Sequence, residues 1–506
     1  MIGRKSMKRQ MIAAIMCGVM VFSNVTPVLA ENYKSSVKIA TTGDLPSNAP
    51  YGNSNTQTSI TTNSTFNGLV HVDREGNATP ELATEWKANE DSTEWTFYLR
   101  ENVKFHDGSD FTAEDVKFTW AYASSSENAG VKWPIIGADL IDEIVVEDDL
   151  TVTFKLNTCS PDWLMYAAQK IMSQQAVDTM GEAGCAIGTG PYKFEAQESG
   201  VSWSLERFDG YWGEPELTEN ITFQVVTDAS TRALSLQSGD VDAIFEANAS
   251  DIVKFQADSN YNVFQADNLA NVYLGFNMDR LPGESPELRR AVAMAINRDD
   301  IVNACYEGGA CAKPSYNIIN EVSTGYAEVD YVEYDLDAAR ALLEENDLIG
   351  TTLVLYTFAK YIPVAEVVQA DLSMVGINVE IREQSQSGFT GNLRDDRQYD
   401  MFINATSSTG GLLNIASRFF ETGSTVSCMF YADPAFDELL DAARKCTSYD
   451  AMLDAYAGLQ QHLAEQIPAI PLCETYLWCI GSSNFGGVNL GNQTYDVDFS
   501  GVYVTE

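Results

Sequence analysis

The chain has 506 residues, with 72 Asp and Glu against 31 Lys and Arg, a formal net charge of -41 and only three histidines. That balance excludes nucleic acid as a partner, because phosphate binding needs clustered Lys and Arg. It suits a soluble protein outside the cell and does not by itself name a cationic ligand.

The chain opens with a basic stretch holding Arg4, Lys5, Lys8 and Arg9, followed by an apolar run from Met11 to Val21. This is the pattern of a secretory signal peptide. Val28 and Ala30 occupy the small-residue positions that a signal peptidase reads, so residues 1–30 are expected to be removed. Acylation at Cys17 is the rival reading, but Ile15 and Met16 stand where small residues are wanted. No later run approaches the roughly eighteen apolar residues a spanning helix needs.

Strand-like alternation follows at Trp95, Phe97, Leu99 and at Val152, Phe154, Leu156. Between them lies "FHDGSDFTAEDVKF", residues 105–118, with one histidine and the carboxylates Asp107, Asp110, Glu114 and Asp115. Asp107 and Gly108 read as a turn, and Thr112 with Asp115 as a capping box opening a helix. One histidine with scattered acids lacks a metal-ligand set. Gly188-Thr189-Gly190-Pro191 lacks the third glycine of a dinucleotide fingerprint and reads as a tight turn.

Helices are expected at Ala229 to Ser238, closed by Gly239, and from Pro286, where Ser285 caps and Leu288, Ala291, Val292 and Ala295 form one face. Others are expected at Pro363 to Val375, Pro434 to Cys446, and Tyr449 to Ile467, the last capped by Thr447 with Asp450 three residues on. Strands and helices alternate without a repeat or a low-complexity linker, the pattern of an α/β protein. Ser35-Ser36-Val37-Lys38 matches S-x-x-K, but no S-D-N or K-T-G follows, and neither G-x-S-x-G nor H-E-x-x-H occurs. No catalytic, metal or cofactor motif is assigned.

Eight cysteines follow the leader: Cys159, Cys185, Cys305, Cys311, Cys428, Cys446, Cys473 and Cys479. In an exported chain an even number favours disulfides, and Cys428 with Cys446 and Cys305 with Cys311 are the local pairings expected. Cys473 and Cys479 sit in a strand-like run and are about 20 Å apart, too far to bridge.

The segment Pro80 to Trp120 resembles the most recognisable stretch of the peptide/nickel/opine class of extracytoplasmic solute-binding proteins that serve ABC importers. "GTGPYKF" with "RFDGYWG" (188–213), "TRALSLQSGDVDAI" (231–244), "YLGFNMDRLPGESPELRRAVAMAINRDDIV" (273–302), "VVQADLSMVGINVEI" (367–381) and "QYDMFI" (398–403) continue the likeness in order. The resemblance implies a two-lobed α/β clamp of the periplasmic-binding type, with an inserted subdomain at about 65–186. The first lobe would comprise 31–267 and 474–506, the second 268–473, with crossings near Leu269 to Tyr273 and Ile470 to Cys473. It implies capture of a peptide or similar small polar solute and its delivery to a membrane permease by a monomer. The protein would be periplasmic or extracellular and associated with the envelope through its transporter. A nickel-chelate or oligosaccharide binder is the alternative within the class, and a secreted hydrolase the alternative outside it.

Cleft residues implied by the same likeness are Tyr51 and Asn53 near the mature N-terminus, Tyr273 and Asn277 on the strand entering the second lobe, and Tyr356 and Lys360 at a strand end. Asn404, Thr406, Ser407, Ser408 and Thr409 lie in the ligand-facing loop. In relatives that hold free dipeptides, this loop carries an aspartate that pairs with the peptide's α-ammonium. Here Thr409 takes its place, and no acid appears before Glu421. N-terminal sequencing of the exported protein is expected to begin at Glu31, and an acylated Cys17 would overturn the leader assignment.

Overall fold

Two long strands, Tyr261–Phe276 and Ala469–Ser482, organise the computed structural model. They run antiparallel from the pair Tyr261–Ser482 to the pair Gly275–Ala469, and the register shifts between Asp267 and Asn271 and again between Val272 and Tyr273. The structure describes residues 32–51, 55–72, 77–124, 137–323, 325–386, 388–407, 411–491 and 497–506. The signal peptide and its cleavage site lie outside them.

On one side of this pair the sheet continues through Ala243–Phe245, Ser36–Thr41, Asn220–Val225, Ser202–Arg207 and Tyr192–Glu198. On the other it continues through Met401–Ser407, Thr352–Thr357 and Asn378–Glu383. Each side holds a parallel trio. Ser36–Thr41 pairs in parallel with both Asn220–Val225 and Ala243–Phe245, and Thr352–Thr357 with both Asn378–Glu383 and Met401–Ser407. Parallel strands need long crossovers, which explains the helices interleaved with them.

Separate apolar cores form the two lobes. One gathers Val37, Ile39, Trp203, Phe223, Phe245 and Phe499; the other runs from Val272 through Leu355 and Phe402 to Cys473. A third core belongs to a four-stranded antiparallel sheet of Ala83–Ala88, Glu94–Leu99, Thr151–Leu156 and Ile141–Asp148. There the alternation predicted at Trp95, Phe97 and Leu99 is realised, with all three buried. Phe154 meets Phe97, Trp120 and Trp163 with ring centroids at 5.7, 5.0 and 5.3 Å.

Several helix ends follow the sequence closely. Ala229–Ser238 is capped by Asp228 and ends at Gly239 with φ 78°, where glycine is the residue without a Cβ penalty. The Ser285 side chain accepts from the Leu288 N–H at the head of Pro286–Ala295, and Leu288, Ala291, Val292 and Ala295 are buried. Other ends differ. Pro434–Ala443 stops short of Cys446, and Tyr449–Gln466 is capped by Ser448, whose side chain accepts from Ala451, and not by Thr447. A serine hydroxyl one position nearer the helix meets the orphan N–H directly.

The Phe105 to Phe118 stretch is a turn leading into a helix. Asp107 accepts from the Ser109 N–H at 2.9 Å, Asp110 pairs with Lys104 at 2.5 Å, and Asp115 accepts from the Thr112 N–H at 2.9 Å ahead of Ala113–Ser124. Asp115 does more than solvate the helix start: it is buried, and its other oxygen accepts from the Gln174 N–H at 2.9 Å. Gly188 and Gly190 lie against the end of the helix Thr56–Thr65, where a Cβ on Gly188 would stand 2.1 Å from the Thr65 carbonyl oxygen.

The eight cysteines are free thiols. The expected Cys428–Cys446 and Cys305–Cys311 bridges are not made: Cys428 Sγ faces the Thr390 carbonyl at 3.4 Å, Cys446 Sγ faces Ala442 and Ala451 carbonyls, and Cys311 Sγ faces Ala249.

His106 sits between the Gly190 carbonyl at 3.0 Å and the Phe208 ring at 5.0 Å, and burial lowers its pKa to about 4. The folded state therefore binds this proton less readily than the unfolded chain, so stability present above about pH 6.5 is lost as pH falls toward 4. In chemical denaturation across that window, His106→Gln is expected to remove on the order of 1–3 kcal/mol of the native protein's acid destabilisation; parallel pH profiles for the two proteins would refute it.

Candidate ligand cleft

In open parallel sheets, ligands bind beyond the carboxyl ends of the strands, where the strand order reverses. Each lobe has such a point, at the central strand of its parallel trio. In the first lobe, Phe245 ends its strand opposite Cys479 of the second long strand, having entered opposite Gly481. In the second lobe, Ser407 ends its strand opposite Ala270, having entered with Met401 opposite Phe276. Both sets of carboxyl ends thus converge on the middle of the long pair, between about 266 and 271 on one strand and 474 and 478 on the other. This stretch contains the register shift.

Polar side chains fix that stretch. Lys313 reaches Glu321 at 2.7 Å, Glu474 at 3.4 Å and Asp267 at 3.8 Å, and these carboxylates raise its pKa against the opposing effect of burial. The buried Asn271 amide donates to Ser315 Oγ at 3.0 Å and to the Asn317 carbonyl at 2.7 Å, and Asn268 donates to Thr475 at 3.3 Å. A bulge leaves backbone groups off the ladder, and this network holds them in one arrangement.

On the first-lobe side, residues that sequence reasoning missed stand at the carboxyl ends. Thr42 donates to Glu246, and Gln57 Nε2 reaches Thr41 at 3.2 Å and Thr42 at 3.3 Å. Glu246 holds φ at 60°, unusual for a residue with a Cβ. Its carbonyl is gripped by the buried Arg232 at 2.6 Å, while the same guanidinium binds the Val226 and Thr227 carbonyls at 2.7 and 3.0 Å. Arg232 therefore ties the ends of two parallel strands together and fixes where the Glu246 carboxylate stands. No motif in "DAIFEANAS" announces this. Asp44 nearby is spent within the lobe, accepting from Ser199, Gly200, Gln197 and Leu45, contacts that lower its pKa.

The structure brings some of the residues named from the sequence to this cleft and uses others elsewhere. Lys360 is exposed just beyond the carboxyl end of Thr352–Thr357, with its ammonium 5.4 Å from the Tyr361 ring. Asn404 and Thr406 lie on one face of Met401–Ser407, opposite Tyr273 and Asn271. Ser407 is the last residue of that strand, while Asn53, Ser408 and Thr409 lie outside the described residues. Tyr51 hydroxyl donates to the Lys170 carbonyl at 2.6 Å, fastening its loop to the subdomain.

Three side chains are engaged inside the second lobe. Tyr273 is buried edge-on to Phe402 at 5.7 Å. The Tyr356 hydroxyl donates to Asp396 at 2.8 Å. Asn277 donates to the Tyr399 carbonyl at 3.0 Å at the amino end of the Met401 strand, about 20 Å of strand from Ser407. Its place beyond Phe276 puts it at the wrong end of the parallel trio for the cleft.

Away from the long strands the lobes touch once more. Thr158 donates to the Arg444 carbonyl at 3.1 Å, and Tyr456 donates to Asp162 at 3.3 Å. Asp162 also accepts from Ser160 at 2.7 Å. This contact joins the turn before Trp163–Ala167 to the segment from Arg444 to Tyr456. Among the described residues, no group of three or more His, Cys, Asp or Glu is gathered as a metal site requires, and no helix is long and apolar enough to cross a membrane.

Comparison with known proteins places the chain in its class. Residues 77–417 match the family described as bacterial extracellular solute-binding proteins, family 5; the chain belongs to that family. Its fold is the two-lobed one of these proteins, and its function is that of the extracytoplasmic solute-binding component of an ABC import system. It is 28% identical to the dipeptide-binding protein of Escherichia coli over 431 residues, 77% of this chain and 80% of that one. The structure of the substrate-binding protein CtaP from Listeria monocytogenes superposes with a TM-score of 0.86 at 22% identity, covering 94% of this chain and all of that one. The periplasmic binding protein DppA of Helicobacter pylori in complex with the peptide STSA gives 0.80 at 23% identity, covering 94% and 99%.

Burial at the inter-lobe contact raises the pKa of Asp162 above its ordinary 3.8. The contact therefore favours the protonated acid, is fully supported below that value, and weakens as pH rises through the raised pKa. Asp162→Asn is expected to raise the amide protection factors of residues 157–163 near neutral pH and to make them independent of pH there; unchanged protection in the variant would exclude this role.

Proposed function

We propose that the chain captures a peptide or similar small polar solute in the cleft between the converging carboxyl ends and presents it, as a monomer, to a membrane permease at the outer face of the cell. The register that aims both parallel trios at one stretch of the long strands carries this reading. A ligand touching both lobes is bound only when they close, so its differential affinity drives closure, and the permease meets the closed form. The peptide assignment rests on the dipeptide-binding relative and the peptide-bound structural neighbour. Membership of a solute-binding family supports binding without turnover, and incubation with peptides and glycans showing cleavage would favour the secreted hydrolase instead.

Asn404 and Thr406 offer an amide and a hydroxyl near the end of Met401–Ser407, the sequence continues with the hydroxyl-bearing Ser408 and Thr409, and Lys360 is exposed beyond the neighbouring strand. A free α-ammonium enclosed against such a loop without a carboxylate is costly by several kcal/mol, so the preferred ligand is neutral at that end: a blocked or cyclic peptide, a longer peptide held elsewhere, or a sugar. Calorimetry with free dipeptides and their N-acetylated counterparts is expected to show the acetylated forms binding at least as well. If free dipeptides bind at micromolar affinity and acetylation abolishes binding, the ammonium has a carboxylate partner after all. Loss of that binding in Glu246→Gln would then identify the partner.

A further inference from the structure

We propose that Cys159 and Cys446 form a disulfide that joins the first lobe's subdomain to the second lobe and holds the clamp closed. The two residues are 287 positions apart in the chain, yet Cys159 Sγ lies 2.5 Å from the Cys446 carbonyl oxygen and 3.7 Å from that of Arg444. Cys159 follows the strand Thr151–Leu156 and belongs to the turn that leads into the helix Trp163–Ala167. Cys446 lies just beyond the helix Pro434–Ala443.

The contact is supported on both sides. Thr158 donates to Arg444 at 3.1 Å, and Tyr456 to Asp162 at 3.3 Å, so the two backbones are already aligned when the sulfurs meet. With Cys159 Sγ 2.5 Å from the Cys446 carbonyl oxygen, standard bond lengths keep the two Cα atoms within about 8 Å, so a small approach of the backbones brings them into the roughly 4.4–6.8 Å a disulfide spans. The remaining movement is rotation of the Cys446 side chain away from the Ala442 and Ala451 carbonyls, at 3.5 and 3.4 Å. Both cysteines are half-buried and reachable, whereas Cys185, Cys311, Cys428, Cys473 and Cys479 are buried.

The extracytoplasmic location of the family supplies an oxidising setting. The oxidant is a small-molecule or protein disulfide. The Cys446 thiolate attacks it and releases one donor thiol; the Cys159 thiolate then displaces the second donor thiol from the mixed disulfide. Two protein thiols and one donor disulfide become one protein disulfide and two donor thiols. Opening about the long strands separates residues 157–163 from 444–456, so the bond removes the open state and retards exchange of whatever the cleft holds.

The test uses the full exported chain incubated with oxidised glutathione, alkylated, and digested without reduction. Mass spectrometry is expected to find the Cys159 and Cys446 peptides joined, and hydrogen exchange in residues 157–163 and 444–456 to slow about tenfold, a change reversed by dithiothreitol and absent in Cys159→Ser. Alkylation of both thiols after oxidation, or a bond from either to a different cysteine, would overturn the proposal. A bond formed without slower exchange would overturn its role in holding the lobes together.

Discussion

Everything in this molecule hangs on the antiparallel pairing of Tyr261–Phe276 with Ala469–Ser482. The pair is one continuous ladder, yet its two halves belong to different cores: Ala266 and Leu477 pack with the first lobe, Val272 and Leu472 with the second. A ladder shared between two cores cannot slip by one residue without turning every buried side chain outward in both. Register is therefore fixed at both ends, and the irregularity between Asp267 and Asn271 is confined between them. That confinement leaves the middle of the pair, between the two cores, as the place where the ladder steps out of register.

The same constraint explains why the cleft is lined by strand ends. Antiparallel attachment of the Ala243 and Met401 strands to the long pair aims both parallel trios inward. Side chains at those ends are then held by the scaffold: Arg232 clamps three carbonyls in the first lobe, and in the second the Thr357 hydroxyl donates to the Ile403 carbonyl at 3.2 Å. A ligand meets groups whose positions were set before it arrived, which limits the ordering cost of binding.

Closure has its own small interface. Thr158 and Asp162 meet Arg444 and Tyr456 across most of the chain, 286 and 294 positions apart. A carboxyl group held there by two hydroxyls adds little attraction, because its desolvation opposes the hydrogen bonds it gains. So weak a contact does not by itself hold the lobes together, which leaves that role to the proposed Cys159–Cys446 bond.

What the sequence determined by itself was local or carried by long motifs. Ser285 followed by proline and an apolar stripe made a helix because cap, first turn and buried face all lie within eleven residues, and Trp95, Phe97 and Leu99 pointed inward because alternation is a property of the strand. The α/β class and the solute-binding family were equally legible, since several stretches keep their order along the chain. Register, and all that follows from it, was decided by tertiary structure. Asn277 reads as a cleft residue on a strand entering the second lobe, but the direction in which Met401–Ser407 pairs puts it at the far end. Glu246 reads as one acid among 72 until the Arg232 clamp and the neighbouring Thr42 fix its place. Cys446 reads as a partner for Cys428, eighteen residues back, while folding sets it beside Cys159. Proximity along a chain says what is near in the unfolded state; only the packing of both lobes on one shared ladder says what is near in the folded one.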